Sequence, residues 1–369
     1  MRFAFAIVTL FPWGGLQRDC LRIARALRAR GHEVTLFASR TEGELPADIA
    51  VERLPVRAFT NHGRNVRFGS ALARAVQGRF DRVVGFDKMP GLDFLYCADA
   101  SIAARALHPL QRALPRYRAL RALEGACFGP DSRTRVLALA EPQIEAYARA
   151  WGTPAERIVL VPPNIDRARR RLELRTDGTR ARVRAALGLS PTALVLLAIG
   201  TQPEVKGFDR AIDALMRAPA AELVIAGVAP ASADGRKLLG AAGRKGVERR
   251  LHLLGPREDV PELLAASDLL LHAARLDTTG TVILEAIVNG LPVIATSVCG
   301  YAPHVRRADA GIVLEEPFAP AALDGALALA VDPGRRKQWS ANAVAYGADP
   351  ELYRGIERAA SLLVEPVAR

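Results

Sequence analysis

The fold is constrained most by an alternation of short apolar runs with amphipathic segments, which occurs twice along the chain. The first series contains the helical pattern LQRDCLRIARALRARG and the apolar runs FAFAIVTL, EVTLFAS, RVVGFD and RVLALA. β-branched and aromatic runs that alternate with helical patterns predict β-α-β units and a parallel sheet. We therefore expect a doubly wound α/β domain in residues 1–165.

A Pro-, Gly- and charge-rich segment, VPPNIDRARRRLELRTDGTR, interrupts this alternation, as is typical of an interdomain linker. The alternation restarts at ALVLLAIGT and continues to GIVL, which predicts a second doubly wound domain in residues 166–349. The last helical pattern, in about 350–369, is expected to dock back on the first domain. Because ligands bind outside the carboxyl ends of parallel strands, the site is expected in a cleft between the two domains.

Charge and cysteine spacing limit the partners. The chain has 51 basic and 39 acidic residues, a net charge of +12, which favours acidic partners, although a coding bias towards Arg explains it equally well. Cys20, Cys97, Cys127 and Cys299 form no C-x-x-C pair, so we expect reduced cysteines and no zinc site. No apolar run reaches the roughly 18 residues of a membrane helix, and a cytoplasmic protein is expected.

Glycines mark the turn after the first predicted strand. In FPWGGLQRD the strand runs into Pro12, Gly14 and Gly15, and a helical pattern follows at once. Adjacent glycines let the backbone approach a ligand closely, and the N–H groups of a helix start attract phosphate. The stretch lacks the full G-x-G-x-x-G pattern, so a dinucleotide cofactor is not expected. Glycine for turn geometry alone is the alternative interpretation.

Charged residues follow two strands of the second domain. Lys206 lies in the loop after ALVLLAIG, where an ammonium could neutralise a diphosphate, with an exposed surface lysine as the alternative. In RLDTTGTVILEAIVNGLPVIAT, Asp277 lies in a loop and Glu285 lies in the helix that follows. We expect Thr278 or Thr279 to cap this helix.

The start of this helix predicts a sugar phosphate as the ligand. Gly280 leaves backbone N–H groups open to a phosphate, and the helix dipole adds to the attraction. Asp277 and Glu285 would accept hydrogen bonds from neighbouring sugar hydroxyls. The alternative is a capped helix with an incidental Glu, although an ionised Glu within an apolar helix face is costly without partners.

Four segments carry a resemblance to a known family, namely FPWGGLQRD, NHGRN, DRVVGFDKMPGLD and LLLHAARLDTTGTVILEAIVNGLPVIATSVCGYA. Together they resemble the lipopolysaccharide core heptose glucosyltransferases, which are retaining members of glycosyltransferase family 4. The resemblance implies the GT-B fold, with two Rossmann-like domains that face each other across a cleft. It also implies transfer of glucose from UDP-glucose to an inner-core heptose of lipopolysaccharide, without a metal or other cofactor, the UDP-sugar being a substrate.

The resemblance further implies roles for individual residues. The catalytic residues would be Asp99, Lys206 and Asp277, with Lys206 as the phosphate-binding lysine of the family. The donor would be bound by Gly14, Gly15, Arg167, Lys206, Asp277, Thr278, Thr279, Gly280, Thr281 and Glu285. The acceptor would be bound by Asp19, His62, Arg64 and Lys88, and no residue is assigned to a metal.

Two single positions depart from the family pattern, and so does the segment NIDRAR, where a Gly-containing segment is expected after the paired prolines. The first acid of the E-x7-E motif is Asp277 here, which is shorter than Glu by one methylene. Val205 stands where an Arg often precedes the phosphate-binding lysine, and Arg167 or Arg169 would replace the missing charge. Another UDP-hexose or a UDP-N-acetylhexosamine is therefore the alternative donor, and a sugar-nucleotide epimerase is a more distant alternative.

The expected mechanism is front-side attack, in which the leaving phosphate oxygen accepts the proton of the acceptor hydroxyl. Departure of UDP needs fixed positive groups near its developing charge, and Lys206, nearby arginines and helix N–H groups can provide them. Asp99 as a covalent nucleophile is the alternative.

Two further segments are assigned to the acceptor and the membrane. Residues 103–128 interleave arginines with Leu, Tyr and Phe, which suits an anionic membrane surface or the phosphates of lipopolysaccharide, unless they form a plain solvated helix. We expect a peripheral protein at the cytoplasmic face of the inner membrane. NHGRN is expected to form a loop whose His62 and Arg64 suit heptose hydroxyls or phosphates, with a simple hydrogen-bonded loop as the alternative. A basic binding protein without activity is the remaining alternative, but no nucleic-acid-binding signature is present and nucleic acid is not expected.

Overall fold

A computed structural model of the chain describes residues 1–11, 14–105 and 107–366. Pro12 and Trp13 of the glycine turn, Ala106 of the basic segment and residues 367–369 of the predicted terminal helix lie outside the described residues. The chain divides into two compact units. The first unit comprises Met1–Asn164 and Tyr353–Arg369, and the second comprises Ile165–Leu352.

The first unit is built on a seven-stranded parallel sheet. Its strands are β1 (Arg2–Leu10), β2 (Glu33–Thr41), β3 (Ala50–Arg53), β4 (Arg82–Gly85), β5 (Phe94–Cys97), β6 (Arg135–Ala138) and β7 (Ile158–Leu160). They lie in the order β3-β2-β1-β4-β5-β6-β7, and every neighbouring pair is parallel. The chain changes direction across the sheet between β1 and β4, so the unit is doubly wound as predicted.

Helices cover both faces of this sheet. They are α1 (Gly15–Ala29), α2 (Asn61–Val76), α3 (Pro109–Ala113), α4 (Pro115–Phe128) and α5 (Glu141–Trp151). Phe3, Phe5 and Ile7 of β1 belong to the core on one face, whereas Ala4 and Ala6 belong to the core on the other. This explains why β1 reads as a continuous apolar run rather than an alternating one.

The prediction of a loop at NHGRN was wrong, because these residues form the first turns of α2. Thr60 precedes the helix with extended backbone angles, and its Oγ1 accepts a hydrogen bond from the backbone N–H of Gly63 at 3.1 Å. A threonine in this position satisfies an N–H group that has no partner within the helix. The helix therefore begins one residue after Thr60.

The second unit is built on a six-stranded parallel sheet. Its strands are β8 (Leu194–Ile199), β9 (Ala221–Ala226), β10 (Leu251–Leu253), β11 (Leu269–His272), β12 (Val293–Thr296) and β13 (Gly311–Leu314). They lie in the order β10-β9-β8-β11-β12-β13, and every neighbouring pair is parallel. The direction of winding changes between β8 and β11, so this unit is also doubly wound, as predicted.

Eight helices surround this second sheet within the described residues. They are α6 (Thr179–Ala186), α7 (Phe208–Arg217), α8 (Ala233–Arg244), α9 (Val260–Ala266), α10 (Thr281–Val288), α11 (Ala302–Arg307), α12 (Pro320–Val331) and α13 (Pro333–Tyr346). The Pro-rich segment before α6 contains two 3-10 turns, Arg167–Arg169 and Leu172–Arg175.

The terminal helix α14 (Gly355–Val364) belongs to the first unit and packs against α1. Ile356, Ala359 and Leu363 join the core that contains β1, and Arg30 Nη2 of the loop after α1 lies 2.5 Å from Glu357 Oε2. Burial of an apolar helix face is the main stabilising term here, since the ion pair is partly exposed. In the part of the chain that the structure describes, no helix is both long and apolar enough to cross a membrane.

Candidate active site

Lys206 and Asp277 come together at the carboxyl edge of the second sheet. Lys206 lies in the turn between β8 and α7, and Asp277 lies between β11 and α10. Because β8 and β11 are neighbours and the winding changes between them, their following loops meet outside the same edge. Lys206 Nζ is 2.6 Å from Asp277 Oδ2, and both side chains are largely buried.

Glycines permit this position of Lys206. A Cβ on Gly200 would lie 2.8 Å from Lys206 Cγ, so the lysine stem passes over a residue that has no side chain. A Cβ on Gly207, whose φ is +70°, would lie 2.0 Å from the carbonyl oxygen of Ala273. The turn thus packs directly on the backbone after β11, which only glycine allows.

Three groups hold the carboxylate of Asp277. Its Oδ2 accepts hydrogen bonds from Lys206 Nζ at 2.6 Å and from His272 Nε2 at 2.8 Å, and its Oδ1 accepts from the N–H of Gly280 at 3.0 Å. Burial alone would raise the pKa of Asp277, but the hydrogen bond from His272 and the charge of Lys206 outweigh it and lower this pKa to about 2. Asp277 is therefore an anion at neutral pH.

The prediction that Thr278 or Thr279 caps α10 was wrong. The residue before the helix is Gly280, with φ +73° in the left-handed region, and its N–H is bound by the Asp277 carboxylate. A residue at positive φ has to be glycine or pay a steric cost, so the turn geometry overrides the usual preference for threonine. Thr279 is fixed instead through its carbonyl, which accepts from the N–H of Tyr301 at 2.6 Å.

The first turn of α10 carries no acidic residue, and its first residue, Thr281, is exposed. The N-terminal end of a helix attracts anions through its free N–H groups and its dipole. Thr278 is half-buried in the turn that precedes the helix. The start of α10 therefore lies beside the Lys206–Asp277 pair and is suited to a phosphate group.

Glu285 pairs with the segment that precedes α6. Its Oε1 lies 3.2 Å from Arg169 Nη1. Asn289 fixes the backbone of both segments in this contact. Its Nδ2 donates to the carbonyls of Arg169 and Glu285, at 2.9 and 2.8 Å. Its Oδ1 accepts from the N–H of Arg171 at 2.7 Å. Arg167 is exposed in the same 3-10 turn.

The glycine turn of the first unit follows β1. Gly14 is the residue before α1, and a Cβ there would lie 1.9 Å from Gln17 Oε1 and 2.6 Å from the Phe11 ring. Gln17 Nε2 in turn donates to the carbonyl of Thr9 at 3.1 Å. A Cβ on Gly15 would meet nothing within 4 Å. A side chain at position 14 would thus have to displace the end of Gln17 and the Phe11 ring, whereas Gly15 leaves open space at the helix start.

Asp99 follows β5 and its side chain is exposed. Its carbonyl accepts hydrogen bonds from Gln143 Nε2 at 3.0 Å and from the Tyr147 hydroxyl at 2.9 Å. Gln143 also accepts from the N–H groups of Leu139 and Ala140. These buried partners, which the sequence analysis missed, hold the backbone of Asp99 while its carboxylate stays accessible.

Lys88 does not lie at an accessible surface. Its side chain is 9% exposed, and its Nζ donates to Glu124 Oε2 at 2.8 Å and to the carbonyl of Ala100 at 3.1 Å. Glu124 is fully buried on α4 and also binds the loop that follows Asp99, through the N–H groups of Ile102 and Ala103. This placement favours a structural role for Lys88 over the predicted role in acceptor binding.

The other residues predicted to bind the acceptor lie on two helices of the first unit. Asp19 of α1 accepts from the Tyr96 hydroxyl at 3.0 Å, and burial raises its pKa. His62 and Arg64 are half-buried in the first turns of α2. Arg64 Nη1 donates to Asn61 Oδ1 at 2.9 Å, which orients its guanidinium along the helix start.

The described residues contain no group of three or more His, Cys, Asp or Glu side chains that could hold a metal ion. All four cysteines are buried as free thiols. The carboxyl edge of the second sheet offers an ammonium, a helix start and carboxylates. These groups fit an anionic ligand that also carries hydroxyls.

Comparisons with known proteins agree with this chemistry. Residues 179–345 match the family model of glycosyl transferases group 1, and residues 13–169 match that of glycosyltransferase family 4. The chain is 37% identical over 373 residues to the lipopolysaccharide glucosyltransferase WaaG of Escherichia coli K12, covering 98% of both proteins. This degree of similarity over the full length places the two proteins in one family.

Solved structures show the same architecture. The crystal structure of WaaG, described as a glycosyltransferase involved in lipopolysaccharide biosynthesis, superposes with a TM-score of 0.88 and 36% identity over 99% of this chain and 100% of that one. Anabaena Alr3699/HepE in complex with UDP and glucose has the same fold, with a TM-score of 0.73 and 20% identity over 98% of this chain and 99% of that one. The chain therefore belongs to glycosyltransferase family 4 and has the GT-B fold.

Proposed function

We propose that this glycosyltransferase transfers glucose from UDP-glucose to an inner-core heptose of lipopolysaccharide, with retention at the anomeric carbon. The observation that carries the proposal is the meeting of the Lys206 ammonium with the start of α10 at the winding change of the second sheet. An ammonium beside a helix start suits the phosphate groups of a diphosphate. The name of the E. coli relative, a lipopolysaccharide glucosyltransferase, supports the same reaction.

The transfer proceeds by front-side attack. The bond between the anomeric carbon and the β-phosphate oxygen breaks, and its electron pair stays on that oxygen. The acceptor hydroxyl oxygen bonds to the same face of the carbon, and its proton passes to the leaving phosphate oxygen. Configuration is retained because departure and attack share one face. The UDP-sugar is a substrate, and no metal or cofactor takes part.

Lys206 and the first-turn N–H groups of α10 stabilise the departing UDP. The negative charge on the β-phosphate grows as the glycosidic bond breaks, and donors already in position lower the barrier most effectively. In this proposal Glu285 and the turn Asp277–Gly280 bind the sugar and ribose hydroxyls of the donor. Asp99 is accessible for the acceptor or the reacting carbon.

The experiment that tests this function is UDP release from a panel of UDP-sugars, with and without heptose-terminated lipopolysaccharide core. We expect the protein to release UDP from UDP-glucose, and only when the acceptor is present. The Glu285→Ala variant is expected to release none. Preferential use of another UDP-hexose or a UDP-N-acetylhexosamine would overturn the donor assignment. UDP release without any acceptor would overturn the assignment as a transferase.

We further infer that the protein binds the cytoplasmic face of the inner membrane as a peripheral protein. Leu110 and Leu114 flank Arg112 and are 74% and 55% exposed, respectively. The same part of the first unit has an open groove of about 690 Å³, lined by Arg112, Tyr117, Arg118, Arg121, Ala122, Gly125 and Trp151. Basic groups beside exposed apolar ones suit anionic lipid headgroups and the acyl boundary below them.

Vesicle sedimentation tests the membrane proposal. We expect vesicles rich in anionic lipid to carry the protein into the pellet at low salt, and neutral vesicles to leave it in the supernatant. The Leu110→Ser, Leu114→Ser double variant keeps every charge, so a loss of pelleting in this variant would assign part of the binding to apolar insertion. Equal pelleting with neutral and anionic vesicles would overturn the electrostatic part of the proposal.

A further inference from the structure

One oxygen of Asp277 joins the end of a strand to the lysine of the donor site. His272 is the last residue of β11, and its side chain is 2% exposed. Its Nε2 lies 2.8 Å from Asp277 Oδ2, the same oxygen that lies 2.6 Å from Lys206 Nζ. A rigid element of the sheet is therefore connected to a flexible ammonium through a single carboxylate.

The hydrogen bond to Asp277 is the only polar contact that the described structure gives to the ring of His272. The other ring nitrogen, Nδ1, is buried and has no hydrogen-bond partner. A buried polar atom without a partner destabilises a fold, and such an atom calls for an explanation. The residues before it in β11, Leu269, Leu270 and Leu271, are all buried and apolar, so a leucine or methionine would suit this position better for packing alone.

We propose that His272 is a positioning residue of the donor site, which fixes Lys206 through Asp277 and so sets the affinity for the diphosphate. This inference rests on the proposed function. The stem of Lys206 has four rotatable bonds, and Asp277 is the group that orients its end. An ammonium has three N–H groups, so binding to Asp277 leaves two of them for phosphate oxygens.

The same contacts limit what Asp277 can do for the sugar. Both lone-pair positions of Oδ2 are taken by Lys206 and His272, and one position of Oδ1 is taken by Gly280. A single acceptor position on Oδ1 remains for a sugar hydroxyl. In this chain the first acid of the motif therefore serves mainly to orient Lys206, and the shorter aspartate suits the short distance to the end of β11.

The test compares two substitutions of His272. His272→Gln keeps an N–H donor at about the position of Nε2, whereas His272→Met fills the same space without a donor. His252→Gln is the matched control, because His252 Nε2 also pairs with a carboxylate, Glu222 Oε2, at 2.7 Å but on the edge strand β10. Binding of UDP is measured by calorimetry without acceptor, and KM and kcat for UDP-glucose are measured with it.

We expect His272→Met to weaken UDP binding about tenfold and to raise KM for UDP-glucose more than it lowers kcat, in line with the effect of removing orienting partners in other sites. The UDP affinity of His272→Gln is expected to stay within about threefold of that of the unchanged protein. The UDP affinity of His252→Gln is expected to equal that of the unchanged protein. Wild-type affinity for UDP in His272→Met would overturn the inference. Equal weakening in the Met and Gln variants would also overturn it, because packing would then be the cause.

A second background separates positioning from a general loss of structure. If His272 acts through Lys206, then His272→Met should change UDP affinity little in a Lys206→Met protein, whose ammonium is already absent. A full tenfold loss in that background would overturn the inference. UDP binding needs no acceptor, so an unchanged protein that binds UDP but transfers no glucose would contradict the proposed function and leave this inference standing.

Discussion

Glu285 Oε1 lies 3.2 Å from Arg169 Nη1, and Asn289 holds the backbone on both sides of this ion pair. The contact brings the segment that precedes α6 against the helix of the donor site. Asn289 makes three hydrogen bonds there and is itself buried. The position of Glu285 in the site therefore depends on an amide side chain at the far end of the same helix.

We expect Asn289→Ala to raise KM for UDP-glucose several-fold and to lower the free energy of unfolding by about 1–3 kcal/mol, because buried backbone groups lose their partners. Enzyme kinetics and urea unfolding measure the two effects. Asn342→Ala is the control, since half-buried Asn342 also donates to a backbone carbonyl, that of Asp309, but through an exposed hydrogen bond. An unchanged KM in Asn289→Ala would mean that α10 alone positions Glu285.

Asp277 is expected to contribute to stability as well as to donor binding. A carboxyl group with a lowered pKa stabilises the fold above its unfolded pKa, near 3.8, and this contribution is lost as the pH falls through about 2. Asp277→Asn should therefore lower the free energy of unfolding at pH 7 by about 2 kcal/mol, with a smaller difference at pH 3. Urea unfolding at the two pH values measures this difference.

Asp209→Asn is the control for that prediction. Asp209 binds Arg275 through two hydrogen bonds at 2.7 and 2.6 Å in the same unit, but the pair is substantially exposed. Exposed ion pairs contribute about 0–1 kcal/mol, so Asp209→Asn is expected to be the milder change. Asp277→Asn and Asp209→Asn could instead lower the free energy of unfolding equally at pH 7. Burial would then not make the ion pair of Asp277 with Lys206 and His272 more stabilising than an exposed pair.

The sequence predicted both sheets and the family because these depend on patterns within short segments. The two doubly wound sheets follow from apolar runs alternating with helices, and Lys206 and Asp277 could be proposed because each stands in a loop that follows a strand. By contrast, His272 and Asn289 lie at the ends of apolar elements, where a polar residue has no distinctive spacing. Their partners lie at positions that only the folded chain brings close.

The local errors have a common physical origin. Thr278 and Thr279 are good capping residues by type, yet Gly280 occupies the capping position because that turn needs positive φ. The resemblance assigned Lys88 to the acceptor, but Lys88 forms an ion pair with the fully buried Glu124 and is itself only 9% exposed. In each case a tertiary requirement outweighed a residue preference.

Glu124 is expected to be essential for the stability of the first unit. Its two oxygens accept from Lys88 Nζ, Ser101 Oγ, Trp151 Nε1 and two backbone N–H groups. Removal of one member of a buried charged group leaves the others unpaired, at about 3–5 kcal/mol. We therefore expect Glu124→Ala to lower the free energy of unfolding by this amount in urea titrations.

The control for Glu124 is Glu145→Ala, since Glu145 is exposed on α5, and it should change stability by no more than about 0.5 kcal/mol. Lys88→Met provides a second comparison. It should also be destabilising, because the buried carboxylate then keeps its other hydrogen bonds but loses the one from Lys88 together with its counter-charge. Unchanged stability in both Glu124→Ala and Lys88→Met would contradict a structural role for this network.

Asp87 is expected to limit the stability of the first unit at neutral pH. It follows β4, is half-buried, and accepts a hydrogen bond from the N–H of Val8 at 2.6 Å. Burial raises its pKa to about 6, and the nearby charge of Asp99 adds to the rise. An acid with a raised pKa stabilises the fold below its unfolded pKa, near 3.8, and this contribution is lost as the pH rises through about 6.

Asp87→Asn removes that ionisation and keeps an oxygen that can accept from Val8. We expect the variant to be more stable than the unchanged protein at pH 8, by up to about 3 kcal/mol, and to differ little from it at pH 4. Thermal unfolding at the two pH values measures the gain. An equal gain at pH 4 and pH 8 would attribute it to packing, because at pH 4 the carboxyl group of Asp87 is already protonated in the folded protein.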